Sequence, residues 1–201
     1  MIKALLFDYD GVITAGVKDG IPASRLASNL GVSYDEAEMW IVSIWNGFST
    51  GMMSESEAWQ KIEEQYGKPI APKQRDIWYT WEVLRPIPKM LELVRKLKEK
   101  GYPVGLVSNV LPVTAQLIRK NGGYDEFDFL VLSYEAGARK PDTEIYNMAM
   151  TNLKDISAKE VLFLDDRKPC TDAADKLGMK TIHVTNHDEA IKEVHTLTNT
   201  V

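Results

Sequence analysis

Two aspartates stand two residues apart in Phe7-Asp8-Tyr9-Asp10-Gly11-Val12-Ile13, directly after a short apolar run. Carboxylates placed so close together at the end of a buried strand repel each other unless something compensates. A lone Asp-x-Asp also reads as a polar loop cap. Three other groups bear on it. Ser108-Asn109 closes a second apolar run, Arg139-Lys140-Pro141-Asp142 lies in the loop after a third, and Asp165-Asp166 closes a fourth. Taken singly, Ser108 is a turn residue, Lys140 a solvated charge and Asp165-Asp166 a helix cap. Gathered at one edge, four carboxylates and one ammonium carry a net charge of −3, which is costly without a cation. Only oxygen donors are offered, which suits Mg²⁺ better than Zn²⁺. Mg²⁺ brings the sum to −1, and a proton on Asp10 brings it to zero. A phosphoryl group can then approach Asp8 with less repulsion.

The elements that must position these residues follow from the apolar pattern. Short runs at 4–7, 104–107, 129–132, 161–164 and 181–184 are largely apolar on both faces and bounded by polar or turn residues, as strands of a covered parallel sheet are. Helical patterns fall between them at about 88–100, 112–121, 141–153, 171–177 and 188–197, with Pro141 at a first-turn position. Strands alternating with helices predict βαβ units. In open α/β sheets the binding crevice lies at the carboxyl ends of the strands, where all four groups fall. From about residue 16 to 84 no strand signal is present. Ser33-Tyr34-Asp35-Glu36 and Ser54-Glu55-Ser56-Glu57 are capping-box patterns that open helices over about 34–48 and 55–66. Pro72 opens another to about 84. This is a helical insert between the first and second strands.

The 201 residues suit one domain, or one core with a small insert. The net charge of −5 argues against bulk-charge binding to nucleic acid or to an anionic membrane. It leaves room for a small phosphorylated metabolite held by a local positive site. Cys170 is the single cysteine, so no internal disulfide framework exists. The apolar run before Asp8 is too short for a signal-peptide core, and no stretch nears the roughly 20 apolar residues of a membrane span. A cytoplasmic protein, monomer or homodimer, is expected.

The ordered set Asp8-Tyr9-Asp10-Gly11-Val12, Ser108, Lys140 in Arg139-Lys140-Pro141-Asp142, and Phe163-Leu164-Asp165-Asp166 resembles the haloacid dehalogenase-like superfamily, specifically its phosphatases with a helical cap inserted after the first motif. Sugar-phosphate phosphatases and the phosphatase domain of epoxide hydrolases are closest in flavour. The resemblance covers nearly the whole chain. It implies a Rossmann-like parallel-sheet core of residues 1–15 and 86–201, with a cap of residues 16–85. It also implies a Mg²⁺-dependent phosphatase acting on a small phosphomonoester, a sugar phosphate or nucleotide, through an aspartyl-phosphate. Dehalogenases of the superfamily carry a non-acidic residue two places after the nucleophile. Asp10 stands there, which implies phosphoryl transfer: an alkoxide leaving group needs a proton and a halide does not.

By the same resemblance Asp8 is the nucleophile and Asp10 the general acid and base. Asp8, the Asp10 carbonyl and Asp166 hold Mg²⁺, with Asp165 in or just beyond the first shell. Ser108 and the Asn109 N–H hold phosphoryl oxygens, and Lys140 neutralises charge between Asp8 and phosphate. A phosphomutase of the superfamily, or a non-catalytic binding module retaining the fold, are the alternatives. Arg167-Lys168 after the last motif departs from the usual pattern; these residues face solvent or add positive potential. His183, His187 and His195 receive no catalytic role. All five tryptophans (Trp40, Trp45, Trp59, Trp78 and Trp81) fall in the insert, where they pack the cap or stack on substrate; Trp45, near a helix end, is the candidate for substrate contact. Hinges of the cap are expected near 14–16 and 84–86.

Overall fold

The computed structural model describes residues 1–17 and 20–199. Residues 18 and 19 of the expected cap and 200 and 201 of the expected core lie outside them. Five parallel strands form one sheet: β1 (Ala4–Phe7), β2 (Val104–Ser108), β3 (Phe129–Leu132), β4 (Val161–Asp165) and β5 (Lys180–His183), in the order β3-β2-β1-β4-β5. The strand order reverses beside β1, so β1 and β4 flank the topological switch point.

Alternation along the strands loads both faces. Leu5, Phe7, Leu106, Leu162 and Leu164 point to one core, shared with Met90, Leu93, Val94 and Leu97 of α5 (Pro88–Glu99). Ala4, Leu6, Val107, Val161 and Phe163 point to the other, shared with Ile145, Tyr146 and Ala149 of α8 (Thr143–Thr151) and Cys170 and Ala174 of α9 (Lys168–Lys176). The first face is also covered by α6 (Pro112–Lys120) and α10 (His187–Thr198). Gly105 faces Phe129, whose ring would lie 2.3 Å from any Cβ there.

Between β1 and β2 the described residues are helical and hold no strand. They form α1 (Ile21–Leu30), α2 (Tyr34–Ser49), α3 (Glu55–Tyr66), a 3₁₀ turn at Pro72–Gln74, and α4 (Trp81–Leu84). Both expected capping boxes are present: Ser33 and Ser54 each accept from the backbone three residues on, and Glu36 and Glu57 reach back. The insert has an apolar cluster of its own, centred on Leu26, Ile44, Phe48 and Ile62. Trp40, Trp59 and Trp78 are buried in it, Trp45 packs at its edge, and Trp81 packs against the sheet-side core.

Several elements differ from the sequence pattern. The expected helix over 72–84 is broken between Gln74 and Trp81, because side chains from elsewhere take its carbonyls. Asn29 Nδ2 donates to Gln74 O at 2.9 Å, Arg25 donates to Trp78 O, and the freed stretch inserts Ile77 and Trp78 into the insert's core. Helix α1 was not foreseen; it starts after Gly20, with Pro22 in its first turn and Ala23, Leu26 and Leu30 buried. Pro141 does not open α8. It follows Lys140 in a cis peptide, and Asp142 precedes the first helical residue. A short helix, α7 (Ser133–Ala136), follows β3 directly. Helix α9 starts at Lys168, earlier than expected, with Pro169 in its first turn.

Candidate active site

Register brings the acids together. Phe7 pairs with Leu164, so Asp8 and Asp165 sit level on adjacent strands, and the Asp8 N–H donates to Leu164 O at 2.8 Å. Lys140 arrives from the β3 side and is only 2% exposed. Its Nζ lies 2.8 Å from Asp8 Oδ1 and 2.6 Å from Asp165 Oδ2. The remaining oxygen of Asp165 accepts from Arg167 N at 2.8 Å, and Asp8 Oδ1 also accepts from Tyr9 N at 2.7 Å.

One ammonium serving two buried carboxylates leaves an excess of negative charge. Burial, with the charge of Asp165 adding to it and Lys140 opposing, raises Asp8 to about 7. Burial alone would depress Lys140, but Asp8 and Asp165 more than reverse this and hold it above the ordinary lysine range. Asp166 is raised by burial and by the charges of Asp165 and Asp10. All three shifts describe a site that lacks positive charge.

Oxygens of Asp8, Asp165 and Asp166 lie within 4.8 Å of one another. Gly11 makes this approach possible: it has φ +75°, and a Cβ on it would fall 2.4 Å from Asp166 Oδ2. The donors are hard oxygens, one side of the cluster is open, and a cation would supply the charge that is short. The set therefore fits Mg²⁺.

The Asp10 carboxylate does not join this acid cluster. Its Oδ1 accepts from Thr14 Oγ1 at 2.8 Å and from Val17 N at 3.0 Å, and the residue lines the cavity. Ser108 is buried at the end of β2, and its hydroxyl has no hydrogen-bond partner among the described residues. Asn109 plays a part that the sequence pattern did not disclose. Its side chain donates to Lys140 O and accepts from Lys140 N, both at 2.8 Å, and so clamps the backbone of the lysine. No spacing rule signals a contact across 31 residues of chain.

These groups border a cavity of about 480 Å³ roofed by the insert. Trp45, Ser49 and Tyr79 come from the roof, and Arg139 and Arg167 reach the lining from the core. Arg167 thus faces the cavity, while Lys168 pairs with Asp172 outside it. The Cys170 thiol is raised to about 12, chiefly by burial, and stays protonated. Two histidines touch the site's backbone: His183 Nε2 lies 2.9 Å from Asp166 O, and His187 Nε2 lies 3.1 Å from Thr14 O. The roof is tied down by Ser133, whose Oγ donates to Ser49 O at 2.6 Å, and by Gly51, against which Tyr134 O packs.

A parallel sheet that gathers Asp8, Asp165 and Asp166 at its switch point defines an α/β protein with a site fit for a divalent cation. The haloacid dehalogenase-like hydrolases match residues 2–178, and the chain belongs to that family. It is 32% identical over 143 residues to a sesquiterpene phosphatase of Aspergillus oryzae, covering 71% of this chain and 72% of that one. It is 34% identical over 118 residues to bifunctional epoxide hydrolase 2 of Mus musculus, covering 55% of this chain and 21% of the hydrolase. A solved structure of a family enzyme from Bacteroides thetaiotaomicron, in complex with magnesium and inorganic phosphate, matches with a TM-score of 0.75 and 29% identity over 90% of this chain and 93% of that one. The chain is a hydrolase of this family with phosphatase relatives, and its cluster of hard oxygen donors fits the Mg²⁺ that its structural relative binds. No helix among the described residues is long and apolar enough to cross a membrane.

Proposed function

We propose that the protein hydrolyses a small phosphomonoester through an aspartyl-phosphate on Asp8. The observation that carries this reading is the placement of Lys140 Nζ between Asp8 and Asp165, 2.8 and 2.6 Å away, at the edge of the roofed cavity. In this reading residues 1–15 and 86–201 are the catalytic core and 16–85 the cap. Asp8, the Asp10 carbonyl and Asp166 hold Mg²⁺, with Asp165 in or just beyond their shell. The ion, when bound, supplies positive charge against the phosphoryl oxygens.

An Asp8 carboxylate oxygen attacks phosphorus in line, and the bond from phosphorus to the ester oxygen breaks. Asp10 gives its proton to the departing alkoxide. Water then attacks the aspartyl-phosphate, Asp10 takes a proton from it, and the phosphorus–Asp8 bond breaks to release inorganic phosphate. Lys140 offsets charge on Asp8 and on the phosphoryl group as they approach, and fixed charge of this kind is usually the largest contribution. Ser108 Oγ and the Asn109 N–H bind phosphoryl oxygens. Trp45 stands at the cap side of the leaving group.

The test is release of inorganic phosphate from a panel of phosphomonoesters, with Mg²⁺ and with chelator, by the wild-type protein and Asp8→Asn. Metal-dependent release that vanishes in Asp8→Asn supports the reading. Turnover by Asp8→Asn at near the wild-type rate overturns it.

A further inference from the structure

We infer that the leaving group is an apolar alcohol, so that the site takes alkyl or alkenyl phosphates in preference to phosphates of sugars or nucleosides. The inference rests on the phosphatase reading above and narrows its substrate class. Two unlike sets of residues line the cavity. Asp8, Asp10, Ser108, Lys140 and Asp166 come from the strand ends and their loops and can meet a phosphoryl group and its cation. Val17, Tyr79, Leu84, Val110, Leu111 and Ile118 make up the apolar part of the lining. Trp45 closes the cap side with an indole.

A sugar needs partners for several hydroxyls; apart from Arg139 and Arg167, whose positive charge suits the phosphoryl group, this lining has few to give. Tyr9 lines the cavity, but its hydroxyl donates to Leu84 O at 3.0 Å. Ser49 lines it as well, and its hydroxyl donates to Asn46 O at 3.3 Å. The Asn109 amide is spent on both backbone groups of Lys140. Thr114 contributes a hydroxyl that is itself buried without a partner. A polyol against the apolar part of this lining would leave hydroxyls short of partners, each at a cost an alkyl chain does not meet. An alkyl chain instead removes apolar surface from water on both sides of the contact. The discrimination therefore comes from the pocket wall, remote from the reacting phosphorus.

The experiment compares kcat/KM for octyl phosphate with that for glucose 6-phosphate and for AMP, with Mg²⁺. It also measures exchange of ¹⁸O between water and inorganic phosphate, which needs the nucleophile but no leaving group. We expect exchange to proceed and octyl phosphate to be favoured by about 100-fold or more, the scale of discrimination that desolvated contacts supply. Val110→Thr, close in shape but with a hydroxyl in the wall, should lower kcat/KM for octyl phosphate about tenfold and leave the exchange rate unchanged. Ile118→Thr should act in the same direction. Exchange together with equal or greater kcat/KM for glucose 6-phosphate or AMP overturns the apolar assignment and leaves the phosphatase reading standing. Absence of both exchange and hydrolysis removes the phosphatase reading and this inference with it.

Discussion

Thr14 Oγ1 donates to Asp10 Oδ1 at 2.8 Å while accepting from Gly11 N at 3.2 Å and Gly16 N at 3.1 Å. Through this one hydroxyl the carboxylate proposed as general acid is fixed to the turn that leads into the cap. Thr14 is fully buried, and its own carbonyl is met by His187. Thr14→Val keeps the shape and removes the hydroxyl. We expect kcat for an alkyl phosphate to fall by about 10- to 100-fold, within the range that a positioned proton donor supplies. Hydrolysis of p-nitrophenyl phosphate, whose leaving group departs without a proton, should fall far less. Equal losses on both substrates would show that Thr14 merely supports the fold.

The raised Asp8 contributes to the pH dependence of the metal-free protein. Its carboxyl holds a proton up to about 7, against an ordinary value of 3.8. The folded state therefore binds this proton more tightly than the unfolded chain does. The stability it contributes is complete below about pH 4 and is lost as pH rises through 7. Mg²⁺ binds the ionised form, so the gain in Tm on adding Mg²⁺ should grow between pH 5 and pH 8. Calorimetry across that window checks it. Asp8→Asn should flatten the metal-free profile.

Lys140→Met leaves two buried carboxylates without their shared ammonium. Breaking one side of a buried ionic group costs about 3–5 kcal/mol, read as a lower midpoint in urea at neutral pH. Activity should be lost as well. Asn109→Leu tests the clamp separately: the lysine stays, its backbone is freed, and kcat should drop with a much smaller loss of stability.

The cap is held by a buried contact that single substitutions can probe. Ser133→Ala strands Ser49 O and leaves Val110 N, which donates to Ser133 Oγ at 3.0 Å, without its acceptor. A loss of about 1–3 kcal/mol is expected. Gly51→Ala is harsher in its local effect, since the new Cβ would lie 2.1 Å from Tyr134 O at a backbone φ of +69°. The cap must then stand away from the core, and KM should rise more than kcat falls. Steady-state kinetics on the two variants separates loosening from displacement.

Much of this arrangement is legible in the residues. Five short apolar runs, four of them followed by Asp, Ser or a loop lysine, suffice to place a parallel sheet and its carboxyl edge, because buried parallel strands have little else to encode. The gathering of Asp8, Asp165 and Asp166 at that edge follows from the same pattern, whereas the Asp10 carboxylate, expected with them, stands apart, and the pairing of β1 with β4 and the room that Gly11 leaves for Asp166 are visible only in the fold. What stayed hidden depends on side chains meeting distant backbone. The Asn109 clamp on Lys140, the His187 contact with Thr14, and the capture of Gln74 O and Trp78 O by Asn29 and Arg25 join segments far apart in the chain. None has a period or a spacing. The cap's break at 75–80 was missed for that reason, since local propensity alone favours continuing the helix that Pro72 begins.

The pairing of Phe7 with Leu164 has a consequence for how such a site tolerates change. The distance between Asp8 and Asp165 is metered by a backbone ladder rather than by loop conformation, since Phe7 pairs with Leu164 and Asp8 N is tied to Leu164 O. Deleting one residue within β1 would slide the strand a single step and turn every side chain on it to the opposite face. Asp8 would then take the place of Phe7 in the greasy interior, and Tyr9 would enter the acid cluster. The four residues before Asp8 therefore cannot change in number.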